Sequence, residues 1–262
     1  MTAVPTIKAF FDEPTNTISY LVADPATKRA AIVDPVLDYD HASGKASTES
    51  ADVILDEAEA LGLTIDWVLE THAHADHLSG APYIKLKTGA KVGIGEHIRE
   101  VQKIFRPVFN ATDVIGDGSE FDHLFKDGER FELGNIEAAV LHVPGHTPAD
   151  IAYRIGDPVF VGDTLFMPDF GSARADFPGG DARTLCRSIR RLLALPPETR
   201  LFMCTTTRHR AATAMPGRRR SARSALTMSM SKTVSARRSS SQCAKRVTRR
   251  SPRPSCSCHR SR

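Results

Sequence analysis

Residues 71–77 read Thr-His-Ala-His-Ala-Asp-His and contain three of the ten histidines of this 262-residue chain. They follow residues 65–69, in which apolar and polar side chains alternate as in a strand with one buried face. His72 and His74 are two residues apart, so their imidazoles project to the same side of an extended backbone. Asp76 and His77 follow where the chain turns and can bring two more donors to the same pocket. The segment therefore predicts a metal site at the end of a strand.

Two later segments place the same kinds of donor after predicted strands. Residues 144–147 read Pro-Gly-His-Thr, and residues 162–166 read Gly-Asp-Thr-Leu-Phe, which makes His146 and Asp163 candidate ligands. Donors at strand ends, held by a scaffold but open to solvent, suit catalysis better than a structural site. Any one of these histidines alone is better explained as a polar loop residue, but four His and two Asp in this arrangement are not. Among residues 1–204, the histidines without such neighbouring donors are His41, His97, His123 and His142.

The rest of residues 5–204 alternates between predicted strands and helices. The expected strands cover residues 17–23, 30–33, 65–69, 91–94, 131–133, 137–143, 151–154, 158–161 and 201–204. The expected helices cover residues 51–61, 80–87 and 96–105, with a last helix that Asp181 caps and Pro196 ends. The order lacks a strict βαβ rhythm, which favours an α/β (α+β) fold of two sheets sandwiched between helices.

The composition changes after residue 204. Residues 1–204 hold 19 Lys and Arg against 31 Asp and Glu, a net charge of −12, whereas residues 205–262 hold 16 Lys and Arg and no acidic residue. The latter also contain no aromatic residue, so they cannot form much of a core. We predict a catalytic domain over 1–204 and a basic low-complexity tail over 205–262. Such a tail could make the protein a polyanion-binding module, but without aromatics for base stacking a nucleic-acid partner is not expected.

The same sequence bears on the cellular location. No apolar run approaches the roughly 20 residues of a membrane span. The first residues lack the basic and apolar segments of an export signal. The two cysteines before residue 205 give no disulfide framework. We therefore expect a cytoplasmic protein without a membrane partner, and the sequence leaves its oligomeric state open, a homodimer included.

Taken together, residues 71–77, 144–147 and 162–166 resemble the metallo-β-lactamase superfamily in kind and order, over nearly all of residues 5–204. The resemblance implies a metallo-β-lactamase-like αββα four-layer sandwich. Within the superfamily the chain looks most like the persulfide dioxygenases, the non-haem iron enzymes of sulfide oxidation. Residues 171–177, Gly-Ser-Ala-Arg-Ala-Asp-Phe, add support for this narrower likeness.

This resemblance implies that His72, His146 and Asp163 bind one Fe(II). Two histidines and one carboxylate leave coordination positions open for O₂ and a small-molecule thiol persulfide, as in other non-haem iron oxygenases. The implied reaction converts glutathione persulfide to sulfite and glutathione.

The remaining candidates would support this centre. His74, Asp76 and His77 would orient the ligands and shuttle protons. Arg174 would hold a carboxylate of the glutathione part, because its planar fork suits that group.

The alternative uses the same residues as a zinc site. The ligands of a first Zn(II) would be His72, His74 and His146, and those of a second would be Asp76, His77 and Asp163. A zinc-bound hydroxide would then attack a thioester, as in a glyoxalase II-like hydrolase or, more remotely, a lactonase or β-lactamase. Motifs alone do not choose between one Fe(II) and one or two Zn(II).

In these families a histidine follows the strand that corresponds to residues 201–204 and completes a two-metal site, whereas this chain has Thr205. Every acidic and aromatic residue is lost at the same point, as an out-of-frame GC-rich message would produce. We hypothesise that residues 205–262 are read out of frame and form little packed structure. Sequencing the gene or weighing the expressed protein tests this hypothesis.

Overall fold

The protein is built on two six-stranded β-sheets, which a computed structural model describes over residues 4–167, 170–206 and 228–229. In chain order the strands are β1 (Thr6–Asp12), β2 (Thr17–Ala23), β3 (Arg29–Val33), β4 (Val36–Asp40), β5 (Lys45–Ser47), β6 (Thr64–Leu69), β7 (Leu78–Ser79), β8 (Lys91–Gly95), β9 (His123–Phe125), β10 (Arg130–Leu133), β11 (Ile136–His142), β12 (Ile151–Ile155), β13 (Val159–Phe160), β14 (Arg200–Phe202) and β15 (Met228–Ser229). The helices of the described residues are α1 (Glu49–Ala60), α2 (Ala81–Thr88), α3 (Ile98–Val108) and α4 (Ala182–Leu193). None of these helices is long and apolar enough to cross a membrane.

The first sheet has the order β1-β2-β3-β6-β8-β9 and the second has the order β10-β11-β12-β13-β14-β15. In the first sheet β1 to β3 are antiparallel, whereas β3, β6, β8 and β9 run parallel. In the second sheet only β13 and β14 are parallel. A small third sheet, β5-β4-β7, lies next to the His-rich segment that follows β6.

Apolar side chains on both faces of the two sheets produce four layers. The inner faces meet in one core whose largest fully buried side chains include Tyr20, Tyr153 and Phe160. On the outer face of the first sheet, Ile54 of α1 and Ile84 of α2 join a second cluster, and Leu192 of α4 joins a third on the second sheet. Each fully buried aliphatic side chain contributes about 2 kcal/mol. The predicted αββα sandwich is confirmed.

Every predicted helix and every predicted strand corresponds to an observed element, but the sequence pattern missed β1, β4, β5, β7, β9 and β15. These strands are short or half exposed, so partners elsewhere in the chain determine them rather than a local alternation. The predicted strand over 201–204 ends earlier, at Phe202. Its next two carbonyl groups turn to the other sheet: Tyr20 Oη donates to Met203 O at 2.6 Å, and Ile18 N donates to Cys204 O at 2.6 Å.

Most of the basic segment 205–262 lies outside the described residues. The prediction that this segment forms little packed structure concerns mainly those residues and stays a prediction. The structure describes Thr205, Thr206 and the backbone of Met228–Ser229, which pairs antiparallel with β14. The domain boundary at residue 204, the oligomeric state and the cytoplasmic location stay predictions.

Candidate metal centre

Three strand ends bring His72, His146 and Asp163 together, and we call these residues the first triad. His72 follows β6, His146 lies in the loop after β11, and Asp163 lies in a 3-10 turn after β13. One donor atom from each lies within 4.8 Å of the others. Oδ2 of Asp163 is 3.9 Å from His72 Nε2 and 3.8 Å from His146 Nε2. The same nitrogen of both imidazoles thus faces the same carboxylate oxygen.

The outer nitrogens of these two imidazoles are held by hydrogen bonds. His72 Nδ1 lies 3.0 Å from Thr71 Oγ1, and His146 Nδ1 lies 2.8 Å from the backbone oxygen of Arg174. A partner on one ring nitrogen fixes the tautomer and the orientation of the ring. Both rings are therefore oriented with Nε2 toward Asp163 before any ligand arrives.

Two glycines let the strand ends approach this closely. Gly145 has φ +140° and Gly162 has φ +53°, conformations that residues with a Cβ rarely adopt. A Cβ on Gly145 would lie 2.5 Å from Leu185 Cβ, and a Cβ on Gly162 would lie 2.8 Å from Thr71 Cβ. The loop that carries His146 thus rests directly on the first turn of α4.

His74, Asp76 and His77 form a second triad beside the first. Their donor atoms also lie within 4.8 Å of one another. The His74 ring centroid is 4.2 Å from that of His72 and 4.2 Å from that of His77. His77 Nδ1 lies 3.4 Å from both Asp76 Oδ1 and Thr17 Oγ1. The structure therefore brings all six predicted donors into one region, grouped as two triads.

Two buried carboxylates that were not predicted from the sequence contact the His74 ring. His74 Nε2 lies 3.2 Å from Asp34 Oδ1 and 3.0 Å from Glu70 Oε2. Burial acts to lower the pKa of His74, but the two carboxylates raise it well above its ordinary value. Burial acts to raise the pKa of Asp34, but His74 lowers it overall. Asp34 directly follows β3, just as the predicted donors follow strands. This position at a strand end could have identified Asp34 as part of the site.

Asp34 also holds the start of the His-rich segment. Its Oδ1 accepts from Thr71 N at 2.7 Å and its Oδ2 accepts from Thr71 Oγ1 at 2.9 Å. One buried side chain thus fixes both the backbone before His72 and the ring of His74.

Asp34→Asn is expected to lower the free energy of unfolding by about 2 kcal/mol, because buried hydrogen bonds to a charged group are lost. Chemical denaturation of the purified protein measures the change. Asp40→Asn is the matched control, since Asp40 is exposed and accepts only within its own turn; it should change stability little. Equal stability of the two variants would contradict the role given to Asp34.

The donor chemistry of the first triad fits a bound cation. His72 Nε2 is buried and has no hydrogen-bond partner among the described residues, an arrangement that costs about 1–3 kcal/mol unless a ligand satisfies it. Burial lowers the pKa of His72 well below its ordinary value, so its imidazole is neutral and Nε2 offers a lone pair. Burial, reinforced by Asp76, raises the pKa of Asp163, a carboxylate that a cation would stabilise.

A cleft of about 1350 Å³ is lined by all three residues of the second triad and by His146 of the first. Its walls also include residues of α3, of the loop after α3, and of the hairpin of β4 and β5. The apolar residues of these walls include Leu37, Tyr39, Ile98, Val101, Phe105 and Phe109. Lys45 and Arg106 are the Lys and Arg of this lining, which also contains Asp12, Asp38, Asp40 and Asp76.

Arg174 contributes to the centre through its backbone. Its guanidinium donates to both carboxylate oxygens of Asp176, at 2.5 and 2.9 Å, and lies 4.8 Å from the centroid of the Phe177 ring. The side chain is 64% exposed and is not among the described residues that line the cleft. Its predicted contact with substrate stays a prediction.

Comparison with known proteins identifies a family to which most of the chain is similar. Residues 13–204 match the metallo-beta-lactamase superfamily. A beta-lactamase hydrolase-like protein of Xylella fastidiosa is 53% identical over 198 residues, which are 76% of this chain and 46% of the relative. Glyoxylase B2 of Dictyostelium discoideum is 45% identical over 201 residues, 76% of this chain and 69% of that protein. The chain thus spans about half the length of the first of these relatives.

A solved structure shares the fold. The crystal structure of ETHE1 from Myxococcus xanthus has a TM-score of 0.63 and 30% identity, covering 78% of this chain and 77% of that one. Together with the sequence relatives, it is consistent with the predicted likeness to persulfide dioxygenases.

Proposed function

The chain belongs to the metallo-β-lactamase superfamily, and on that premise we propose that it is a mononuclear non-haem iron persulfide dioxygenase that oxidises glutathione persulfide to sulfite and glutathione. The observation that supports this most is the grouping of donors. Two imidazoles and one carboxylate make up the first triad, which is the ligand set of non-haem Fe(II) oxygenases. The three-histidine set His72, His74 and His146 is not among the close donor groups of the described residues.

The first triad would hold Fe(II) through His72 Nε2, His146 Nε2 and Asp163 Oδ2. Bound there, Fe(II) would supply the redox chemistry that lets a persulfide react with O₂. Thr71 and the Arg174 carbonyl keep the two imidazoles in the ligating orientation. One persulfide anion, one O₂ and one water yield one thiol, one sulfite dianion and one proton.

A residue of the second triad would accept that proton. His77 Nε2 is buried without a hydrogen-bond partner among the described residues, whereas His77 Nδ1 lies near Asp76 and Thr17. An imidazole oriented at one nitrogen can take or give a proton at the other. In this proposal His77 accepts the proton at Nε2, and Asp76 orients the ring.

The cleft would bind the glutathione part of the substrate. Glutathione carries two carboxylates, and Arg106 and Lys45 line the cleft walls. Within the described part of the chain, the Arg106 guanidinium donates only a long hydrogen bond of 3.4 Å, to Ile115 O, so we assign it one carboxylate, in addition to the contact predicted for Arg174.

Arg106→Ala is expected to raise KM for glutathione persulfide about tenfold with kcat unchanged, because a charged hydrogen bond to the substrate is lost. Steady-state oxygen uptake measures both constants. Arg174→Ala is compared in parallel, and Arg130→Ala, on β10, is the control. A normal KM for Arg106→Ala with a raised KM for Arg174→Ala would move the carboxylate site to Arg174.

A metal-dependent thioester hydrolase is the second candidate. The donors of the second triad lie close enough for another cation, and a relative named as hydrolase-like shares 53% identity. In that case one or two Zn(II) would activate water at the same place.

Anaerobic reconstitution with Fe(II) or with Zn(II) separates the two candidates. We expect the Fe(II) protein to consume O₂ with glutathione persulfide and to release sulfite, and the Zn(II) protein to be inactive in this assay. Hydrolysis of S-lactoylglutathione by the Zn(II) protein, with no oxygen uptake by the Fe(II) protein, would overturn the proposal in favour of the hydrolase.

A further inference from the structure

The apolar side of α3 continues from the protein core into the cleft. Ile98 and Val101, near the start of the helix, are buried in a small cluster with Ile94. Phe105 is only partly buried, and Phe109, at the end of the helix, is 72% exposed. Residues 98, 101, 105 and 109 are three or four positions apart, so they share one side of the helix. All four line the cleft, and its wall therefore becomes more aromatic and more exposed along α3.

The exposed part of this lining is larger than one side chain. The Phe105 and Phe109 rings lie at an angle of 18° with 5.8 Å between their centroids. Tyr39 of β4 and Leu78 of β7 also line the cleft and are 43% and 46% exposed. We call Tyr39, Leu78, Phe105 and Phe109 the apolar lining. Apolar surface left in water is unfavourable, and where it is grouped in a cleft it is typical of ligand-binding sites.

The charges of the same cleft do not favour a ligand that is only anionic. Among the described residues that line it, four aspartates stand against one lysine and one arginine. Glutathione persulfide carries two carboxylates and an anionic persulfide, so this balance of charge contributes little to its binding. A carrier group with an aromatic ring would instead be stabilised by burial against aromatic side chains, whatever the charge of the cleft.

We propose that the apolar lining binds the organic part of the substrate, so that aryl-alkyl persulfides are substrates of this centre in addition to glutathione persulfide. The occupant is a substrate group because His146 and the second triad line the same cleft. The inference rests on the proposed function, since it takes persulfide oxidation as the reaction. The balance is the same: one aryl-alkyl persulfide anion, one O₂ and one water give one thiol, one sulfite dianion and one proton.

Binding is measured on the Zn(II)-loaded full chain with N-phenyl-1-naphthylamine, a neutral probe whose fluorescence rises in apolar surroundings. We expect 2-phenylethanethiol to displace the probe and 2-sulfanylethanol, which has the same thiol without the ring, not to displace it. Phe109→Ser should weaken probe binding about tenfold, because an aromatic contact is lost; this variant should fold, since Phe109 is largely exposed.

Leu86→Ser is the matched control for the loss of an exposed apolar side chain. Leu86 lies on α2, is 82% exposed and is not among the described residues that line the cleft. It should bind the probe as the original chain does. Equal probe affinity in the original chain and in Phe109→Ser, or an equal loss in Leu86→Ser, overturns the inference.

Turnover is compared by oxygen uptake of the Fe(II)-loaded chain with 2-phenylethyl persulfide and with glutathione persulfide. Phe109→Ser should lower the ratio of kcat/KM for the first substrate to kcat/KM for the second about tenfold, mainly through KM. Leu86→Ser should have the ratio of the original chain.

The outcomes separate this inference from the proposed function. An unchanged ratio in Phe109→Ser overturns the inference even if probe binding depends on Phe109, because another occupant, such as a second copy of the chain, would then cover the apolar lining. Oxidation of glutathione persulfide without oxidation of 2-phenylethyl persulfide also overturns it and leaves the proposed function standing. Absence of oxygen uptake with both persulfides contradicts the proposed function and the substrate class named here.

Discussion

His146→Ala should leave a folded protein that binds iron at least about 100-fold more weakly and consumes no measurable O₂ with glutathione persulfide. Loss of an outer-sphere partner already costs 10–100-fold in metal affinity, and His146 would supply a direct ligand. Its Nε2 is 3.8 Å from Asp163 Oδ2, and its ring is oriented by the Arg174 carbonyl. Iron per chain after gel filtration and uptake at an oxygen electrode measure the two effects.

His97→Ala is the control for this variant. His97 precedes α3, its side chain is 38% exposed, and it pairs with Glu100 and stacks on His142 rather than joining either triad. It should retain iron and oxygen uptake. Iron content equal to that of the original chain in His146→Ala would show that the first triad is not the metal site.

Gly145→Ala should lower the free energy of unfolding by roughly 3 kcal/mol and the melting temperature by roughly 6–12 °C. The added methyl would lie 2.5 Å from Leu185 Cβ and against the Leu185 backbone, in a conformation of φ +140°. Neither α4 nor the loop can yield easily, because Asp181 N donates to Gly145 O at 3.0 Å and Ser188 Oγ donates to Pro144 O at 2.7 Å. Thermal unfolding followed by circular dichroism measures the loss.

Gly89→Ala separates steric contact from backbone strain. Gly89 has φ +74°, but a Cβ there would meet no atom within 4 Å, so the variant should lose only about 1 kcal/mol. A loss as small as this in Gly145→Ala would mean that the His146 loop does not depend on close contact with α4.

The sequence was sufficient to predict which candidate ligand side chains come together, but not which residues hold them in place. The spacing of His72, His74 and His77, together with strand ends before His146 and Asp163, was enough to predict one site. Asp34 and Thr205 were not predicted as partners, because their contacts depend on which strand ends meet in space. Asp34 is 37 residues from Thr71, and Thr205 is 42 residues from Asp163.

Arg174 shows a different limit of sequence reasoning. Residue type suggested a side chain free to bind a carboxylate, but an acidic residue two positions later, Asp176, engages the guanidinium at both oxygens. The atom that reaches the centre is the backbone oxygen, which carries no information about residue type.

The two carbonyl groups after β14 join the sheets directly, since Met203 O accepts from Tyr20 and Cys204 O accepts from Ile18. These two hydrogen bonds lie immediately before Thr205, whose hydroxyl donates to Asp163, and beside Thr17, whose hydroxyl lies near His77. A chain that opened there would separate donors contributed by each half of the sandwich. Release of the cation and global unfolding should consequently be a single cooperative event rather than successive ones.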